Sequence, residues 1–349
     1  MSGLMPDANA MQLSSPPTRT VLLHADDYGM NNAVTHGIIE GFRHGLLTST
    51  SFLANAPAAE FALERWRILE TERATGALPS AANRQRLNDT ATTFDLGIHI
   101  NLTQGRPLTG DRFPSKLLDP NGQFPSVGRL FAELAIRGDR YREAVTAELA
   151  AQIARMIDHG LPPSHLNGHQ YIELMPIVRD IVPELLDRFH IPAVRLAYEP
   201  GLVRTTLVGS RNVVQWGLAT IKRHFARRFR HQTGRLNLHT TAAFFGTAHA
   251  GRIDLPTMQR FLNISRHATT IEIGLHTGHT FDSTTPTEID EGWHDPLAAL
   301  RPNELQMLQS DELIDLLDSQ QLSLGRLSRL GEGHAGESPS PAAIQRAAG

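Results

Sequence analysis

Four short polar segments hold the side chains best suited to acid–base or metal chemistry: Asp26-Asp27, His99, His165 with His169, and His276. Adjacent carboxylates repel each other, so a pair placed directly after an apolar run needs a cation, a hydrogen-bond donor or water beside it. A solvated turn is the plain alternative for the pair, and a lone histidine such as His99 is as readily a hydrogen-bonded core residue as a ligand. His165 and His169 lie four positions apart, but no long helix surrounds them, so spacing alone does not choose a ligand. It is their joint placement at successive strand ends, and no one of them singly, that favours a metal-binding group.

The surrounding pattern says what positions them. Val21–Leu23 is an apolar run that stops at His24-Ala25-Asp26-Asp27, which reads as a buried strand ending in a polar turn. Asn31 or Asn32 can cap the next segment, where Val34, Ile38 and Phe42 recur at helical spacing up to Gly45. A strand is expected over Leu46–Leu53 and a helix through Phe61, Trp66 and Leu69, followed by a polar, aperiodic stretch over 71–93. Ile98, Ile100 and Leu102 alternate with His99, Asn101 and Thr103, as Ile271, Ile273 and Leu275 do with Glu272, Gly274 and His276. Tyr141 to Ile157 and Ile177 to Phe189 read as helices, Ala193–Leu196 as strand-like, and Leu305 to Leu317 as two helical pieces meeting at Ser310. Strands and helices in alternation predict an α/β fold with a parallel sheet, and reactive groups in such folds sit where strands end.

Composition removes several chemistries. The chain has 349 residues, no cysteine, 17 histidines, and 33 basic against 36 acidic side chains, a formal net charge of −3. Disulfides, thiol nucleophiles, iron–sulfur clusters and cysteine-bound zinc are excluded, so a metal must rest on His, Asp or Glu. Near-neutral charge argues against nucleic acid as a partner. The start shows no secretory pattern and no apolar run is long enough to span a membrane, so the expectation is a cytoplasmic protein. One domain over 20–330 is expected, with insertions near 71–93 and 200–250 and disordered tails at 1–19 and 331–349.

The segments HADDYG (His24–Gly29), GIHINLT (Gly97–Thr103), SHLNGHQY (Ser164–Tyr171) and EIGLHTGH (Glu272–His279) resemble, in order and spacing, the motifs of the YdjC-like carbohydrate deacetylases. Gly37–Pro57 resembles the family's segment after its Asp pair, and Arg301, Glu304, Leu305 and Leu308 its closing helix. The resemblance implies an irregular (β/α) barrel that removes the N-acetyl group of a sugar, oligosaccharide or glycoconjugate with one divalent cation, usually Mg2+, with Zn2+ or another transition metal also compatible with the donors. It implies Asp27, His99 and His169 as ligands, Asp26 as general base and His276 as general acid. Tyr28, Asn101, His165 and Arg195 are candidates for binding substrate or supporting these groups, and His165 is an alternative ligand to His169. This chain has Asn167 where the family has Asp, Glu173 where it has His, and Thr277 where it has Pro.

A basic amphipathic stretch over 211–235, with Lys222, Arg223, Arg227, Arg228 and Arg230, reads either as an inserted helix covering the barrel or as a peripheral membrane contact, as for the hopanoid-associated branch of the family. The oligomeric state is open, a homodimer included. Two further functions compete with deacetylation: another metallohydrolase reaction such as phosphoester cleavage, and sugar binding without turnover.

Overall fold

The structure is a computed structural model that describes residues 19–89, 91, 93–200, 225–234, 236–280 and 292–330. The expected tails lie outside these residues, apart from Arg19, where the first strand starts.

Among the described residues, seven strands form one parallel sheet: β1 (Arg19–Tyr28), β2 (Ser49–Phe52), β3 (Asp95–Ile100), β4 (Leu166–Gly168), β5 (Ala243–Phe245), β6 (Thr270–Leu275) and β7 (Leu322–Leu324). The order is β4-β3-β2-β1-β6-β5, with β7 beside β1. One edge of β1 pairs along Thr20–Ala25 with β6; its other edge is shared, Arg19–Val21 pairing with β7 and His24–Tyr28 with β2. Isolated bridges from Leu166 to Val194 and from Ala193 to His239 carry the hydrogen-bonded path from β4 to the chain just before β5. The sheet is therefore curled into the irregular (β/α) barrel expected from the sequence.

Helices cover the outside. Asn31 caps α1 (Asn32–Arg43), its side chain accepting from Val34 N at 2.8 Å. Then come α2 (Ala59–Ala74), α3 (Ala81–Arg86), α4 (Val127–Asp158) and α5 (Pro176–Arg188), with Leu255–Ile264, Arg301–Leu308 and Asp311–Ser319 closing the layer. The Asp311 helix is capped by Ser310, the junction read from sequence. α4 starts earlier than its strongest periodicity because it continues through a non-helical Arg137.

Two stretches differ from their sequence patterns. β5 lies inside the segment read as inserted at 200–250, yet it pairs with β6; a three-residue apolar strand has no period to detect. The aperiodic stretch 71–93 contains α3 and a buried ionic knot. Arg84, Arg73 and Arg326 all pair with the Asp89 carboxylate, and their guanidinium carbons lie 4.8–5.3 Å from the Phe94 ring centre. Arg84 Nη2 also donates to the carbonyls of Phe42, Gly45 and Leu47. Burial pushes the Arg84 guanidinium down to about 9, against the pull of Asp89.

Within the described part of the basic stretch, 225–234, residues 225–233 are helical. Phe229 is fully buried and Phe225 packs edge-on against Phe131 of α4, so the apolar face of this part is covered by the protein itself. Residues 211–224 and 235 lie outside the described residues.

Two stability experiments follow from this packing. Arg84→Met leaves three carbonyls and part of the Asp89 charge without donors, and the urea midpoint is expected to fall by the equivalent of about 3–5 kcal/mol. Gly97 of β3 has no space for a methyl group, since a Cβ would lie 2.3 Å from the buried His165 Nε2. Gly97→Ala is expected to cost about 1–3 kcal/mol, and His165→Ala in the same chain to recover part of that loss by emptying the space.

Candidate metal centre and active site

The C-terminal ends of the strands gather the polar groups. β1 carries Asp26 and Asp27 near its end, β2 contributes Ser51, β3 His99, β4 Asn167 with His169 following, and β6 is followed by His276. Successive strand residues face opposite sides of a sheet, but Asp27 adopts a left-handed φ of 71°, which turns its carboxylate out of that alternation. Gln170 and Tyr171, directly after His169, are left-handed too, with φ of 54° and 63°. Non-glycine residues in this region cost energy, and such strain gathers at sites.

Asp27, His99 and His169 are buried, and one ligand atom from each lies within 4.8 Å of the others. Asp27 Oδ1 is 2.9 Å from His169 Nδ1 and 3.5 Å from His99 Nε2, while Oδ2 accepts from Arg301 Nη2 at 2.7 Å. Burial opposes ionisation of Asp27, but Arg301 and the two histidines outweigh it and hold the carboxyl well below the usual range. One carboxylate and two imidazoles converging in a buried place fit a divalent cation and leave further positions open.

Asn167 settles which nitrogen His99 offers. Its Nδ2 donates to Asp26 Oδ1 at 2.9 Å, so its Oδ1 faces His99 Nδ1 at 2.8 Å and must accept from it. Nδ1 therefore carries a proton, and Nε2, the nitrogen turned toward Asp27, is the one the neutral ring would offer to a cation. The amide can serve both neighbours because it donates at one end and accepts at the other.

Asp26 is held from several sides. Arg195 Nη1 lies 2.8 Å from both carboxylate oxygens, and Arg195 Nε donates to Glu272 at 2.7 Å. Ser51, Asn167 and His24 all crowd Oδ1, whereas Oδ2 faces His276 Nε2 at 3.9 Å. Burial works against ionisation here as well, but Arg195, His99 and His24 keep the carboxyl well below its ordinary range. The backbone N–H of His276 donates to Glu304 at 2.6 Å, and the His276 Nδ1 has no hydrogen-bond partner among the described residues.

Other candidates are placed differently. His165 packs edge-on against His24 with ring centres 4.9 Å apart, and its Nδ1 bonds Ser164; it sits beneath the site, outside the cation group. Burial pushes its pKa well down, with His24 and Arg195 adding to the effect. Tyr28 is fully buried, and its hydroxyl donates to the Ala62 carbonyl of α2 at 2.7 Å, so it braces the helix and does not line the site. Asn101 also works indirectly, its side chain bonding Asn55, Thr103 and Gln104. Glu173 is wholly buried against Gly168, where a Cβ would lie 2.2 Å from its Oε2. Burial pushes this carboxyl up to about 7.

Gln104, Trp293, Asp295 and Arg301's link to Asp27 were not read from the sequence. Gln104 Nε2 lies 3.1 Å from His169 Nε2, the Trp293 ring centre 6.4 Å from that of His169, and Asp295 holds Arg301 at 2.6 Å. Arg301 and Glu304 stand one helical turn apart, a spacing that could have hinted at a shared inward face.

The chain is 34% identical to a carbohydrate deacetylase of Geobacillus stearothermophilus over 174 residues, 50% of this chain and 58% of that one. It is 33% identical to a carbohydrate deacetylase of Mus musculus over 189 residues, 53% of each chain. The matched stretches thus span little more than half the length of these relatives. Among solved structures, a proposed cellobiose-phosphate cleavage protein from Enterococcus faecalis V583 shares the fold with a TM-score of 0.63 at 19% identity, over 90% of this chain and 99% of that one. Residues 20–319 match the profile of the YdjC-like proteins, and the chain belongs to that family.

Proposed function

We propose that this chain hydrolyses the N-acetyl group of a sugar, oligosaccharide or glycoconjugate, using a divalent cation held by Asp27, His99 and His169. The observation that carries the reading is the buried carboxylate–imidazole group at the barrel's strand ends, with a second carboxylate, Asp26, and His276 beside it. The names of the similar Geobacillus and mouse proteins support it.

A divalent cation in such a site supplies Lewis acidity toward a carbonyl and toward water. The protein's own groups handle the protons. Asp26 Oδ2 is the oxygen with the fewest neighbours and takes the proton of the attacking water, while Arg195 and Asn167 keep the carboxylate from turning. His276 Nε2, 3.9 Å away, then delivers a proton to the sugar nitrogen, which cannot leave as an amine anion. The C–N bond breaks as the nitrogen is protonated, giving acetate and a free amino sugar. The mixed donors suit zinc, manganese or cobalt as well as the magnesium usual in the family, and metal analysis of the purified protein names the ion.

Asp26→Asn is expected to lower kcat for acetate release by about 10²–10⁴-fold while the bound metal is retained. His99→Ala and His169→Ala are expected to lose both, as measured by elemental analysis alongside the acetate assay on a panel of N-acetylated mono-, oligo- and lipid-linked sugars. Chelation should stop acetate release and a divalent ion restore it. Activity that survives complete chelation would overturn the reading.

A further inference from the structure

Gln104 is buried beside the cation group and makes two hydrogen bonds of opposite sense. Its Oε1 accepts from the backbone N–H of His294 at 3.0 Å, and its Nε2 donates to His169 Nε2 at 3.1 Å. A backbone N–H can only donate, so it fixes which end of the amide faces His294. His169 consequently keeps its lone pair on Nε2 and its proton on Nδ1, which donates to Asp27 Oδ1 at 2.9 Å.

That arrangement is incompatible with a cation on either nitrogen of His169. With the cation on Nδ1, the proton of the neutral ring must sit on Nε2, and two donors meet at the Gln104 contact. With the cation on Nε2, the amide nitrogen of Gln104 has to withdraw. Turning the amide to present Oε1 to His169 brings its NH2 against the His294 N–H, again donor to donor. One of the two bonds therefore breaks when the site fills.

The segment bonded to the other end of the Gln104 amide is Gly292–Asp295, through the His294 N–H. Gly105 N donates to Gly292 O at 2.9 Å, and Trp293 lies so close to Gly105 that a Cβ there would be 2.4 Å from the indole Nε1. Asp295 ties the same segment to Asp27 through Arg301. We propose that Gln104 couples cation occupancy at Asp27, His99 and His169 to the position of Trp293, so that the wall formed by Gly292–Asp295 moves when the cation binds. The coupling rests on the metal reading above, and Gln104 acts in it as a positioning residue.

The chain has three tryptophans, Trp66, Trp216 and Trp293, so Trp66→Phe with Trp216→Phe leaves Trp293 as the reporter. Zinc is added to this full-length protein while calorimetry records binding and fluorescence records the indole. The expected result is a saturable shift in emission with the midpoint of the calorimetric curve. Gln104→Leu, which has no hydrogen bond to lose, and Gln104→Glu, which accepts at both ends, should still bind zinc with the emission shift lost. Zinc binding without an emission shift in the reporter protein, or an undiminished shift in Gln104→Leu, overturns the coupling. No heat of binding at all would instead overturn the metal reading beneath it.

Discussion

Two neighbouring buried carboxylates remain ionised because each has its own buried arginine. Arg195 clamps Asp26 and Arg301 clamps Asp27, and each guanidinium is fixed in turn by a further acid, Glu272 or Asp295. Removing one arginine would leave a buried charge uncompensated, a far larger penalty than the pair itself is worth. The clamps also divide the labour. Arg301 occupies one oxygen of Asp27 and leaves the other to the histidines, whereas Arg195 spans both oxygens of Asp26 and fixes the plane of its carboxylate.

Much of this was legible in the sequence because strand ends are local. The apolar run before Asp26-Asp27 and the alternation around His99 and His276 put those residues at the edge where parallel sheets do chemistry. His165 shows where locality fails. Residues 165, 167 and 169 share one parity, but a strand rises about 3.3 Å per residue, so His165 lies deep under the site while His169 reaches its rim. Tyr28 fails for a related reason: it directly follows the pair, yet its ring turns outward to α2. The Arg301–Asp27 bond joins residues 274 positions apart, and no pattern along the chain encodes such a distance. Gln104 and Trp293 sit in connections without periodicity, where type and spacing carry little signal.

Asn167 shows that a departure from the family pattern has a physical meaning. A carboxylate there would face Asp26 with like charge, whereas the amide bonds Asp26 and His99 at once. The amide therefore links the proposed base to the proposed ligand through a single neutral group, at the cost of the extra negative charge an aspartate would lend the imidazole.

The strand that carries both carboxylates is paired on both edges, because β7 takes over along its beginning the edge that β2 occupies near its end. Opening such a strand breaks two ladders at once, so its amides are expected to be among the better protected from solvent hydrogen exchange. The Gly292–Asp295 wall lies outside the sheet and is bonded to Gly105, Gln104 and Arg301. The proposed base and the proposed aspartate ligand thus stand on a doubly paired strand, while the segment proposed to respond to the cation is a connection outside the sheet.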